Sequence, residues 1–121
     1  MEKRVFVLED DKDLRELITY LLENEHYLVK TYPTATSFLN SLDLEHPDLI
    51  LIDVRLPDGD GMEICALLKK DQLTAHIPII MMSAHRNFIN AATQCQAEAF
   101  IPKLFDIDNL IQKINQFAYT A

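Results

Sequence analysis

Four apolar runs in this chain each lead into a polar side chain suited to phosphoryl or metal chemistry. Val5-Phe6-Val7-Leu8 runs into Glu9-Asp10, Leu49-Ile50-Leu51-Ile52 into Asp53, Ile79-Ile80-Met81-Met82 into Ser83, and Ala99-Phe100-Ile101 is followed by Pro102-Lys103. Three carboxylates brought to one place would repel each other and raise one another's pKa unless a cation sat among them. Hard oxygen ligands at that density suit Mg²⁺, which takes only a few carboxylates and keeps several waters. Such an ion can bridge a carboxylate nucleophile and an incoming phosphoryl group, neutralising charge as the bond forms. An aspartate attacking phosphorus would become an acyl phosphate. A lysine ammonium to hold the phosphoryl oxygens and a serine hydroxyl to donate a hydrogen bond complete the set that this chemistry needs.

The elements that must position these residues are legible from periodicity. The four apolar runs have the continuous, branched character of strands buried on both faces, and Leu28–Tyr32 reads as a shorter strand. Between them lie helical patterns. Leu14, Leu17, Ile18, Leu21 and Leu22 share one face of a helix whose start Asp11 or Asp13 could cap, with Asp11 favoured as a cap over a metal contact. Pro33-Thr34 opens a second helix bearing Ala35, Phe38, Leu39 and Leu42. Both glycines fall in the turn-rich loop Leu56-Pro57-Asp58-Gly59-Asp60-Gly61, after which Met62, Ile64, Cys65, Leu67 and Leu68 resume a helical pattern. A short helix is expected over residues 88–95. Ile107, Leu110, Ile111, Ile114 and Phe117 mark a closing amphipathic helix, with Asp106 or Asp108 near its N-terminus.

Five strands alternating with five helices imply an α/β domain with a parallel sheet covered on both faces and right-handed crossovers. In such doubly wound sheets ligands bind beyond the C-terminal strand ends, at the switch point in strand order. Glu9, Asp10, Asp53, Ser83 and Lys103 would all project at that edge. At 121 residues, with no internal repeat or linker, a single domain over residues 1–121 is expected.

Composition narrows the function. Hydrophobic residues are 49% and charged residues 25%, as in ordered globular proteins. The net charge of -8 and the lack of a Lys/Arg cluster argue against direct nucleic-acid binding. No apolar run approaches the ~20 residues of a membrane span and no signal-peptide pattern opens the chain, so a cytoplasmic protein is expected. Cys65 and Cys95 lack zinc-site spacing and read as packing residues, consistent with a reducing compartment. The four histidines are scattered and form no ligand cluster.

Over essentially its full length the sequence resembles the receiver domains of two-component response regulators. The acidic pair Glu9-Asp10, Asp53 at the end of the third run, the loop from Leu56-Pro57 to Gly61, Ser83 with the small Ala84 after it, and Lys103 match the family's motifs in order. No one of these is specific, but five positions in the right order on the right elements make coincidence improbable. The resemblance implies a flavodoxin-like sheet of order 2-1-3-4-5. It implies that Asp53 is the phospho-acceptor, that Asp10 and Asp53 bind Mg²⁺ directly with Glu9 helping through water, and that the Arg55 backbone carbonyl is a further ligand. It also implies that Ser83 bonds the phosphoryl group and shifts its loop, and that Phe100 holds the aromatic switch position. Lacking a hydroxyl anchor, Phe100 reads first as a core aromatic. Arg55 and His85 occupy the positions that flank the attacking water in the family and so would set the lifetime of the phosphoryl group. The implied partners are a histidine kinase or a histidine phosphotransfer protein, with an output domain or downstream protein. The chain would be a regulatory phosphoacceptor that promotes only its own phosphoryl transfer and hydrolysis, and not an enzyme acting on other substrates.

Two departures from the family stand out. Leu104 follows Lys103 where most relatives have proline, and a non-proline cis bond costs about 2.5–4 kcal/mol, so a trans bond is expected there, or a strained one held by its surroundings. Gln96-Ala97 stands where a Gly-Ala turn is usual, which points to a truncated or irregular fourth helix. The alternative function is a degenerate receiver that binds partners without being phosphorylated. An aspartate-nucleophile phosphatase ranks lower, because such enzymes need a general-acid Asp two residues after the nucleophile and Asp53-Val54-Arg55 offers Arg.

Overall fold

A computed structural model describes residues 2–84, 95–103 and 105–119. The main strands are β1 (Arg4–Leu8), β2 (Leu28–Tyr32), β3 (Leu49–Asp53), β6 (Ile79–Ser83) and β7 (Ala99–Pro102). Between β3 and the next helix lies a two-residue antiparallel ribbon, β4 (Arg55–Leu56) with β5 (Gly59–Asp60). The helices are α1 (Lys12–Asn24), α2 (Ala35–Ser41), α3 (Gly61–Lys70) and α4 (Ile107–Ala118). The strands form one parallel sheet of order β2-β1-β3-β6-β7, the expected 2-1-3-4-5 once the ribbon is set aside. The helix expected over residues 88–95 lies outside the described residues except for Cys95.

The pleat divides the sheet's side chains between two cores. Val5, Val7, Leu49, Leu51, Ile80, Met82 and Ile101 pack under α1 and α4 against Ile18, Leu22, Leu110 and Ile114. Phe6, Leu8, Ile50, Ile52, Ile79 and Met81 face α2 and α3 against Phe38, Ile64, Cys65 and Leu68. Every residue of β3 and of β6 is buried, which explains why these central strands read as unbroken apolar runs. Because the side-chain period is two, a one-residue slip in either strand would exchange the two faces, so the packing pins the register that aligns the strand ends. Cys65 and Cys95 are both buried free thiols, and Cys65 Sγ donates to the Cys95 carbonyl at 3.2 Å, as packing residues would.

The outer end of the sheet is fixed by a buried cation. Lys69 Nζ on α3 donates to the Ile77 carbonyl at 2.8 Å and pairs with Glu98, whose Oε2 accepts from the Ile79 amide at 3.0 Å. This network joins α3 to the starts of β6 and β7, and so fixes the strand that ends beside Lys103. Just before β7, Gln96 takes the left-handed conformation, with φ of 61°, at the position where a glycine was the expected residue.

Aspartate caps set the starts of α1, α3 and α4, and Thr34 that of α2. Asp11, rather than Asp13, accepts from the Leu14 amide at 3.2 Å, and Asp106, rather than Asp108, accepts at 2.9 Å from the amide of Asp108. Helix α1 ends in a Schellman turn, with the Tyr27 amide donating to the Leu22 carbonyl at 3.1 Å and the His26 amide to the Glu23 carbonyl at 3.0 Å. His26 therefore sits at φ 68°, where a Cβ crowds the following carbonyl. Replacing His26 with Gly should raise stability by about 0.5–1 kcal/mol, the relief of left-handed strain exceeding the glycine's entropy loss, and urea denaturation will read it as a higher midpoint at unchanged slope.

Candidate phosphoacceptor and metal site

Parallel strands deliver their C-terminal ends to one edge, and register places Asp53 beside Met82 and Ser83 beside Pro102. Asp53 is 3% exposed and ends β3. One of its oxygens, Oδ2, accepts from Lys103 Nζ at 2.8 Å, and the other, Oδ1, from the Arg55 amide at 3.3 Å. The same ammonium lies 2.9 Å from Glu9 Oε1, so it bridges two carboxylates. That second contact is an ion pair by distance without hydrogen-bond geometry, which leaves Glu9 Oε1 fully buried with no hydrogen-bond donor. Glu9 Oε2 accepts from the Asp11 amide at 3.2 Å.

Glu9, Asp10 and Asp53 each bring one carboxylate oxygen to within 4.8 Å of the others. Glu9 is completely buried at the bottom of this cluster while Asp10 is exposed. Burial pushes the Glu9 carboxyl up to about 7, with Asp10 and Asp53 adding to the rise and Lys103 and the Asp11 amide opposing it. For Lys103, burial pulls the ammonium down, but Asp53 and Glu9 outweigh it and the net shift is upward. Three carboxylates sharing one lysine ammonium leave an electrostatic deficit of positive charge, and a small hard divalent cation fits it.

Above the cluster is an open cavity of about 220 Å³ lined by Asp10, Asp53, Arg55, Ser83, Ala84 and Lys103. It has room for several waters, each taking roughly 30 Å³ in the liquid. The structure thus brings together Glu9, Asp10, Asp53, Ser83, Lys103 and Arg55. Phe100 lies apart from them, half-buried on β7 and packed against the core under α2 and α3. His85 and Leu104 lie outside the described residues, and with Leu104 the Lys103-Leu104 peptide bond.

The family model for the response regulator receiver domain matches residues 5–115. The chain belongs to the response regulator receiver family. Receiver relatives of known name include the DNA-binding transcriptional regulator NtrC of Proteus hauseri, 33% identical over 114 residues covering 93% of this chain and 24% of that protein. The phosphate regulon regulator PhoB of Klebsiella pneumoniae is 31% identical over 116 residues, covering 94% of this chain and 51% of that one. The chain therefore spans between a quarter and a half of the length of these relatives. Among solved structures, the phosphorylated cyanobacterial phytochrome response regulator RcpA superposes with a TM-score of 0.86 at 27% identity, covering 100% of this chain and 97% of that one. The receiver domain of the Francisella response regulator 1452 superposes with a TM-score of 0.87 at 25% identity, covering 97% of each chain.

Three residues that shape this receiver's site escape a reading by residue type. Arg15 reaches back from α1 to donate from Nη1 to the carbonyls of Glu9, at 3.0 Å, and Asp10, at 2.9 Å. Asp58 of the ribbon loop accepts from the amides of Ala35, at 2.8 Å, and Thr36, at 3.1 Å, tying that loop to the start of α2. These hydrogen bonds hold the Asp58 carboxyl below the usual carboxylate range. The third is Gly61, where the obstacle is space and not φ. A Cβ there would come within 2.1 Å of the Asp53 carbonyl oxygen and 3.0 Å of Ile52 Cγ2, so α3 can start against the end of β3 only without one. Gly61→Ala should cost about 1–3 kcal/mol as backbone is forced aside. Gly59→Ala, whose Cβ meets only the Ala35 Cβ at 3.8 Å, should be near neutral, and urea melts of the pair separate the two cases.

Proposed function

We propose that this receiver takes a phosphoryl group onto Asp53 from a phosphohistidine on a histidine kinase or histidine phosphotransfer protein. The observation that carries the reading is the buried Asp53 carboxylate held at 2.8 Å by Lys103, with Glu9 and Asp10 within 4.8 Å and a cavity open above it. Asp10, Asp53, the Arg55 backbone carbonyl and, through water, Glu9 would hold Mg²⁺. Bound there, the ion would offset the charge gathering between the carboxylate and the incoming phosphoryl oxygens.

The chain's own residues do the rest. An Asp53 oxygen attacks phosphorus in line, the P–N bond to the donor imidazole breaks with its electron pair leaving to nitrogen, and an acyl phosphate remains on Asp53. Lys103, already bonded to Asp53 Oδ2, moves its charge to a phosphoryl oxygen, and the Ser83 hydroxyl donates to another. Drawing Ser83 toward the phosphoryl group would shift the end of β6 and so the adjoining output face. Phe100, packed into the core, is in this reading a core aromatic first. Support for the chemistry comes from the likeness to RcpA, a receiver solved in its phosphorylated form.

In this reading the product is a regulatory state that decays by self-hydrolysis or through a phosphatase. Its output passes to a linked domain or to a separate protein; the relatives NtrC and PhoB are named as transcriptional regulators, and the chain spans only part of their length. No described helix is long and apolar enough to cross a membrane, which is compatible with the cytoplasmic setting of a phosphohistidine donor.

Incubated with acetyl phosphate or phosphoramidate and Mg²⁺, the protein should gain one phosphoryl group by intact mass and Asp53→Asn none. An unchanged parent mass would favour the degenerate receiver. Arg55 is exposed at the rim of the cavity and long enough to cover the in-line path, within which an attacking water must come to about 3–3.5 Å. Arg55→Ala should therefore accelerate loss of the phosphoryl group without preventing its addition, as should His85→Ala. Slower decay in a mass time course would mean that these side chains assist the water.

A further inference from the structure

We infer that Arg15 is a positioning residue for the metal site, acting through the backbone of the acidic pair and touching neither metal nor phosphoryl group. The inference rests on the magnesium reading above. Arg15 is the fourth residue of α1, its amide bonds the Asp11 carbonyl at 2.9 Å, and its half-buried side chain runs back toward the helix start, the direction side chains take on a helix. There Nη1 donates to two successive carbonyls, Glu9 at 3.0 Å and Asp10 at 2.9 Å. One nitrogen with two N–H bonds thereby fixes both peptide planes that carry the acids.

The other restraints on this turn among the described residues are few, and Lys103 holds only the Glu9 side chain. The Glu9 amide bonds the Tyr32 carbonyl at 3.0 Å, the Asp11 amide bonds Glu9 Oε2 at 3.2 Å, and Asp11 caps α1. The Asp11 amide shares its peptide plane with the Asp10 carbonyl, so that plane has one further restraint. The Glu9–Asp10 plane is held among the described residues by Arg15 alone, and Asp10 is the exposed acid and so the one most able to swing away. Mg²⁺ demands near-ideal octahedral geometry and releases water reluctantly, so its affinity depends strongly on ligands held in place beforehand. Groups that orient ligands commonly change affinity 10–100-fold when removed.

A guanidinium near the site also repels a divalent cation, an effect on affinity that runs against the orienting one. Arg15 is partly solvated and its charge is spread over the guanidinium, which weakens that repulsion. Orientation should dominate.

The two effects separate by substitution. Arg15→Met keeps an apolar stem against α1 and removes both the charge and the donors, and Arg15→Lys keeps the charge with a more flexible donor. Titration with Mg²⁺ alone, followed by the amide shifts of residues 9–11, should show about tenfold weaker binding for Arg15→Met, with Arg15→Lys between it and the parent. Without metal, hydrogen exchange of the Asp10 and Asp11 amides should be faster in Arg15→Met, at a melting temperature close to the parent's. With acetyl phosphate, its half-saturating Mg²⁺ should rise while the uptake rate at saturating Mg²⁺ returns toward the parent's. Parent-like or tighter Mg²⁺ binding by Arg15→Met, or unchanged amide exchange, would overturn the inference. Failure of the parent itself to take up a phosphoryl group would instead sink the reading on which it stands.

Discussion

The bridge that Lys103 makes between Asp53 and Glu9 is the interaction on which the rest of this structure depends. Two carboxylates buried at one sheet edge repel each other at short range, where low dielectric strengthens the repulsion. A single ammonium 2.8 Å from one and 2.9 Å from the other lowers that cost. The compensation is incomplete. Glu9 is still pushed toward neutral pH and one of its oxygens has no hydrogen-bond donor, while Asp10 adds a third acid above. A site left short of positive charge in this way is poised for a cation and for a group that can draw the lysine away.

That bridge exists only because two strands far apart in sequence end at the same height. Lys103 follows β7, and β7 is aligned to β6 by its ladder and by the Lys69–Glu98 network at its start. Asp53 ends β3, whose register is locked by side chains packed on both faces. Lys69 at one end of the sheet thus helps fix where Lys103 emerges at the other. Both are paired cations, and both join strand ends that hydrophobic packing alone would align less tightly.

Around the acids, short connections trade regular structure for position. The ribbon after β3 turns the chain back so that Gly61 can press its Cα against Asp53, and Asp58 anchors the same loop to α2. On the other side, Arg15 and the Asp11 cap hold the turn that carries Glu9 and Asp10. The acidic pair and Asp53 are therefore fixed from opposite helices, α1 on one face and α3 on the other. Movement of either helix start would be felt at the site.

The sequence by itself determined the five sheet strands, the four described helices, and the set of acids, hydroxyl and lysine at strand ends, because these follow from local periodicity and from residue types matched to a chemistry. Leu49-Ile50-Leu51-Ile52 before Asp53 could hardly be other than a buried strand ending in a carboxylate. Only the tertiary structure decided the choice of Asp11 over Asp13 and Asp106 over Asp108 as caps, since the two candidates at each site differ in geometry and not in type. It alone also decided the ribbon after β3, the steric need for Gly61, and the guanidinium of Arg15 on two carbonyls. Each of those depends on a distance between backbones that meet only once the sheet is assembled, and residue type carries no record of such distances.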